Sequence, residues 1–360
     1  MTPSRWRLAL GLSPTPRPGL VLLLLGLALG PLGLGILSRH VLASLDPIVS
    51  VGLATLGVLI GLDLGFHPRR EGRLLLAATL EAGVTTIVVG AGFLIIHAWS
   101  RTTDATPWLF ALMLGICASP SSTSADAFME PGSSRAARAG DLDDVLPIVV
   151  GLLALAWQRE GSLAAGAWLA AQAAAIAIAI AAATWLLVTG TTAEGEPRVF
   201  AVGGLLLLGG AAAHLSLSAL FAGLVAGAFW RAMAPSALEG ITGDIRYVQH
   251  PLVVLLLVVA GARLDFSRDL VWLVVAYVVL RLAGKVVGGW LAGRVAARDL
   301  PRDLGFHLAS PGVVGIAFAL NVLQASSRAD TATTVFAIVL AGSMGSELLS
   351  LVALRRRARA

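Results

Sequence analysis

Long apolar runs broken by short polar clusters dominate the chain. Leu163 to Val188 is 26 residues without a charge, and Leu20 to Leu37 is another 18. A helix needs about 20 apolar residues to cross the hydrocarbon core. The runs are too long for barrel strands and do not alternate; their Leu, Ala and Gly content suits helices. The pattern predicts twelve spans: 20–37, 47–62, 72–97, 107–125, 142–158, 162–189, 198–213, 216–230, 247–262, 270–293, 303–325 and 331–353. Fusing 198–213 with 216–230 would give a helix of about 50 Å at ~1.5 Å per residue, too long for a core of about 30 Å. The fold class is therefore an all-α integral membrane protein, multi-pass, with an uncleaved first span.

Composition agrees. The chain of 360 residues is 57% hydrophobic and 13% charged, about half the charge of a soluble domain. The net charge of +5 does not point to nucleic acid, because the arginines punctuate apolar runs. With the N-terminus in the cytoplasm, 18 of the 26 basic residues fall in cytoplasmic segments and six on the other side. The remaining two, Arg281 and Lys285, lie inside a span. This bias predicts cytoplasmic N- and C-termini in the cell's inner (plasma) membrane. Cys117 is the sole cysteine, which excludes an internal disulfide. No His/Cys cluster or Ser-His-Asp set stands out, so neither an enzyme nor a bound cofactor is expected.

Two spans are interrupted alike. Leu114-Gly115 leads into Ala118-Ser119-Pro120, followed by Ser121, Ser122 and Thr123. Leu304-Gly305 leads into Ala309-Ser310-Pro311, followed by Gly312. Proline removes a backbone hydrogen bond and clashes with the preceding turn. In a bilayer such a break is tolerated where it lines a cavity. A matched pair of breaks in corresponding halves is a pointer to a transport site.

Ionisable residues inside spans, or at their inner turns, carry the chemistry. The acids are Glu81, Asp143, Asp144 and Glu347, and the bases are Arg281 and Lys285. Each costs about 2.5–3.5 kcal/mol or more at mid-membrane, so each needs a reason. Four acids against two bases leave two carboxyls to be protonated or to hold a mobile cation. Asp143 and Asp144 are about 100° apart on a helix, so one can meet a break while the other meets a base. A helix N-terminus would also favour them. Lys285 is the only lysine. Lysine, unlike arginine, can give up its proton when desolvated. Arg281 and Lys285 are one turn apart, so each is expected to have its own acid, with Glu81 or Glu347 neutralising Arg281. Asp63, His214 and His307 read as capping or packing residues.

Six segments in order resemble the monovalent cation/proton antiporter superfamily, in its Kef-like and sodium/proton antiporter branches. They are Gly26 to Gly35 ("GxxxGPxGLG"), Val58 to Asp63, Ser119-Pro120-Ser121-Ser122, Asp143-Asp144, Ala219 to Gly227, and Arg281-Leu282-Ala283-Gly284-Lys285. The resemblance implies an NhaA-like fold with inverted repeats and two broken crossing helices. It implies scaffold and dimer helices in 1–66, core helices in 67–160, a linker and further scaffold helices in 161–266, core helices in 267–353 and a basic cytoplasmic tail in 354–360. It implies exchange of H+ for Na+, Li+ or K+ by an elevator-type movement, electrogenic, in a homodimer embedded in lipid. Asp144 would be the essential cation and proton site, Asp143 the additional carboxylate and Lys285 its salt-bridge partner. The hydroxyls of Ser121, Ser122 and Thr123 would lie near the ion. The second break departs from the pattern, with neither the arginine nor the acid that many relatives carry there. An organic-anion symporter or exporter on the same fold is the alternative, with helix N-termini at the breaks holding a carboxylate. The surplus of buried acids argues against it.

Overall fold

The computed structural model describes residues 18–64, 68–100, 106–121, 139–140, 142–190, 196–233, 239–265, 267–295 and 304–357. Among these residues all regular elements are helical, and no strand occurs. The helices are α1 (Pro18–Leu29), α2 (Arg39–Ser44), α3 (Asp46–Asp63), α4 (Pro68–Ser100), α5 (Pro107–Ala118), α6 (Val145–Glu160), α7 (Leu163–Gly190), α8 (Glu196–His214), α9 (Ala219–Met233), α10 (Glu239–Ala262), α11 (Val271–Val295), α12 (Leu304–His307), α13 (Val313–Ala325) and α14 (Ala329–Arg357). Six stretches are long and apolar enough to cross a membrane: Asp46–Asp63, Gly72–Trp99, Leu163–Gly190, Pro197–His214, Val271–Val295 and Ala329–Leu349. Shorter apolar helices stand at five of the other predicted segments, and α6 stands at the sixth, 142–158.

Local chemistry sets the ends. The first apolar run is expected to be helical to 37, but α1 stops at Leu29. Pro31 has no N–H to continue the ladder. The chain instead turns through Gly35 at φ +68°, so that Leu34 and Leu37 donate to the Ala28 and Leu29 carbonyls. The helices over 198–213 and 216–230 are separate. Ser216 sits at φ +52°, and Leu217 donates back to Ala212 to close the end of α8.

Glycine faces then bring helices into backbone contact, as small residues do where lipid leaves no hydrophobic drive between helices. Gly57 and Gly61 of α3 meet Gly223 and Gly227 of α9; a Cβ on Gly223 would fall on the Ala54 carbonyl oxygen. Gly26 of α1 rests on the Val258 carbonyl of α10. Gly284 and Gly288 of α11 lie on α4, where Cβ atoms would come 3.0 Å from Thr85 Cα and 2.8 Å from the Glu81 carbonyl oxygen. Polar ties join α13 to α9 and α3. Asn321 accepts from the Ala219 N–H and donates to Ser218 Oγ, both at 3.1 Å. Gln324 donates to Asp46, which also holds Arg263 at 2.6 Å.

The glycine contacts carry a stability prediction. Gly223→Val forces α3 and α9 apart and should cost about 1–3 kcal/mol, the range for overpacking. Gly210→Ala, at an exposed position with nothing near its Cβ, should be neutral or gain up to about 1 kcal/mol of helix propensity. Thermal unfolding in detergent distinguishes them, and equal losses would contradict the packing argument.

Candidate functional site

The two proline breaks cross. Beyond α5 the chain runs through Ser119, Pro120 and Ser121, and between α12 and α13 through Leu308 to Gly312. Ser121 and Pro311 pair as an isolated antiparallel backbone bridge, and the Gly312 N–H donates to the Pro120 carbonyl at 3.4 Å. A Cβ at Gly312 would sit 3.0 Å from the Ser121 carbonyl, so the residue after the second proline must be small. A helix leaves its last four carbonyls unpaired and gathers partial negative charge there. The crossing brings two such ends, those of α5 and α12, to one buried place.

One face of α11 supplies the donors. Arg281 Nε donates to the Ala118 carbonyl at 3.0 Å, Nη2 to those of Pro120 and Ser310 at 3.2 Å each, and Nη1 to that of Ala309. One turn on, Lys285 Nζ donates to the Ser119 carbonyl. Neither base snorkels to an interface: their exposures are 1% and 0%. The glycines explain how long basic side chains fit. Gly284 and Gly288 seat α11 on α4, and Gly305 lets α12 lie on the Lys285 carbonyl.

Two carboxyls surround the ammonium, and a third follows one of them in the chain. Both Glu81 oxygens lie 3.1 Å from Lys285 Nζ. Asp143 Oδ2 lies 3.3 Å from it and also accepts from Ser121 Oγ. Thr85 Oγ1 donates to Glu81 Oε1 at 3.0 Å. Asp144 follows Asp143 in the turn that opens α6 and is buried. It stands at the N-cap position but makes no side-chain capping bond, so helix capping does not explain it. Carboxylates held by one ammonium, beside carbonyls and a hydroxyl, form a site where a small cation and protons can compete.

The structure thus gathers Asp143, Lys285, Glu81, Ser119, Ser121 and, through Arg281, Pro120 and Ser310; Pro311 and Gly312 complete the crossing. Ser119 acts through its carbonyl, because its hydroxyl donates back to Ile116 at 3.1 Å. Ser122 and Thr123 lie outside the described residues. One expectation is corrected. Arg281 makes no direct ion pair among the described residues, and the Glu81 and Asp143 charges act on it from further away. Its N–H donors go to four carbonyls, while the direct partner of Glu81 is Lys285. Glu347 of α14 lies instead against the start of α1, with an oxygen 3.8 Å from the Cβ position of Gly19. Sequence reasoning passed over Thr85 and Asn321. The first was detectable as the hydroxyl one turn from Glu81, and the second as an amide within the apolar stretch of α13.

No protein-family model matches the chain, and no curated protein is detectably similar to it. Its fold is similar to that of the sodium proton antiporter MjNhaP1 from Methanocaldococcus jannaschii, solved at pH 8. The superposition covers 97% of this chain and 91% of that one, at 16% identity and a TM-score of 0.62. The fold and the apolar helices make this a multi-pass membrane protein.

The carbonyl contacts of Arg281 predict an ordered loss of stability. Arg281→Met strands three buried acceptors and one part-buried one, at about 1–3 kcal/mol for each buried group where nothing replaces the bond. Arg281→Lys keeps the charge but loses the planar fork, so it should fall between Met and wild type. Thermal unfolding of the purified variants measures this. If lysine proves no better than methionine, charge at this position does not matter.

Proposed function

We propose that the chain is a secondary-active antiporter exchanging protons for a monovalent cation, Na+, Li+ or K+. The observation that carries this reading is the buried cluster of Asp143, Glu81 and Lys285 at the crossing of two broken helices, with Asp144 next to it. The fold it shares with a sodium proton antiporter supports it independently. Asp144 and Asp143 hold the cation or the protons in turn, and the two occupants exclude each other electrostatically. Discharging two carboxyl protons for one cation makes the exchange electrogenic. An organic anion is disfavoured, because its carboxylate would enter a pocket that already has more acid than base.

The twelve predicted spans and the packing of the helices fit an elevator. Helices α4, α5, α6 and α11 to α14 carry the crossing. Helices α1, α3, α8, α9 and α10 pack mainly on one another through their glycine faces and would form the stationary part of a homodimer. Movement would remake the ties of Asn321 and Gln324 to α9 and α3. The arginine distribution supports an orientation with both termini in the cytoplasm, and the proposed location is the plasma membrane.

Asp144→Asn should abolish exchange in proteoliposomes, read as cation-induced movement of a pH dye with Na+, Li+ and K+ in separate runs. Its thermal unfolding and elution volume should remain those of wild type, since shape is kept and charge is lost. Retained transport would remove Asp144 from the site. The wild type should also bind its cation more weakly as pH falls, by about one decade per pH unit for each competing proton. An apparent affinity indifferent to pH would mean separate sites.

A further inference from the structure

Lys285 has three N–H donors, and a different element takes each one. They go to Glu81 on α4, the Ser119 carbonyl beyond α5 and Asp143 ahead of α6. Glu81 is the nearer acid, with both oxygens at 3.1 Å against 3.3 Å for Asp143. Its Oε1 also accepts from Thr85, so both of its oxygens are engaged. Asp143 differs. Its Oδ2 takes both the Ser121 hydroxyl and the ammonium, whereas Oδ1 is buried with no hydrogen-bond partner among the described residues. Glu81, Asp143 and Lys285 are each 0% exposed.

Two carboxylates around one ammonium leave one negative charge in excess, in an interior where an uncompensated charge is costly. A proton or a monovalent cation must balance it, and the open oxygen belongs to Asp143, not to Glu81. The other charged or titratable groups on elements packed against α4 do not change this count. Arg281 adds one positive charge, which acts on Glu81 and Asp143 while its N–H groups bond four carbonyls, and Asp144 adds one negative charge, so the two cancel; Tyr277 and Cys117 are neutral groups of α11 and α5.

Building on the antiport reading, we infer that Glu81 is the resident counter-ion of Lys285 and a positioning residue of the exchange site. It keeps the ammonium in place through the cycle, so that Asp143 can let go of it and take up a cation or a proton. Lys285 then stays protonated throughout. The two protons that leave when one cation enters come from the carboxyls of Asp143 and Asp144, and the charge of the site falls by one. Without Glu81 the ammonium has Asp143 as its sole carboxylate, and it competes with the cation as a tethered rival.

The test uses the full chain in proteoliposomes, with the pH-dye assay run against Na+, Li+ and K+ concentration at several pH values. The proteins are wild type, Glu81→Gln, Lys285→Gln and the double variant. Glu81→Gln should raise the apparent KM by about tenfold or more, most strongly at acid pH, while the rate at saturating cation falls by less than about threefold. The double variant, lacking the rival ammonium, should return KM to within about threefold of wild type. A merely structural role would not produce that recovery. An unchanged KM and pH profile in Glu81→Gln, or a double variant no better than the single one, overturns the inference. Should Glu81→Gln not fold, the Lys285→Gln background decides. Adding Glu81→Gln there should raise the unfolding temperature by removing a stranded carboxylate, and no rise overturns the pairing. A wild type that moves none of the three cations overturns the antiport reading and this inference with it. Normal wild-type exchange with an unaffected Glu81→Gln overturns this inference alone.

Discussion

Two helices that stop inside a membrane create a problem that the rest of the structure solves. Each break frees carbonyl oxygens, and the hydrocarbon offers no water to bond them. The chain brings both breaks to one place, where part of the need is met by their own antiparallel pairing at Ser121 and Pro311. The remainder falls to Arg281 and Lys285, whose donors reach carbonyls from Ala118 to Pro120 and at Ala309 and Ser310. The two bases repel each other one turn apart on α11, yet each faces a concentration of backbone partial charge that makes its position favourable.

Solving the backbone problem with cations creates the chemistry. A guanidinium can be matched by carbonyl dipoles because it spreads its charge over five donors. An ammonium concentrates its charge and draws carboxylates. Glu81 and Asp143 both come to Lys285, and the cluster passes from one excess positive charge to one excess negative charge. A buried site with one negative charge to spare is suited to a monovalent cation or a proton, and to one of them at a time.

Glycine makes this geometry reachable. Arg281 and Lys285 could not reach the crossing from a helix held at ordinary side-chain distance. Gly284 and Gly288 bring α11 onto the backbone of α4, which also presents Glu81 and Thr85 to the ammonium. The same device joins α3 to α9 and α1 to α10, and there it builds a glycine-packed support rather than a site.

Much of this was legible in the residue string. Apolar run length determined the membrane class and the helix positions. The prolines of two Ala-Ser-Pro segments marked the breaks, because proline's missing N–H is a local property. The scarcity of charge singled out Asp143, Asp144, Glu81, Arg281 and Lys285, since any ionisable group in an apolar run is costly. Pairing was another matter. Charge counting assigned Arg281 a carboxylate, because side chains are what a sequence displays. Its partners turned out to be main-chain carbonyls, and these become acceptors only when two distant breaks meet. That Glu81 and Lys285 lie 3.1 Å apart, at a separation of 204 residues, likewise depended on α4 and α11 touching along a glycine seam. Composition determined which groups must be neutralised; tertiary packing decided by what, because partnership depends on distance through space.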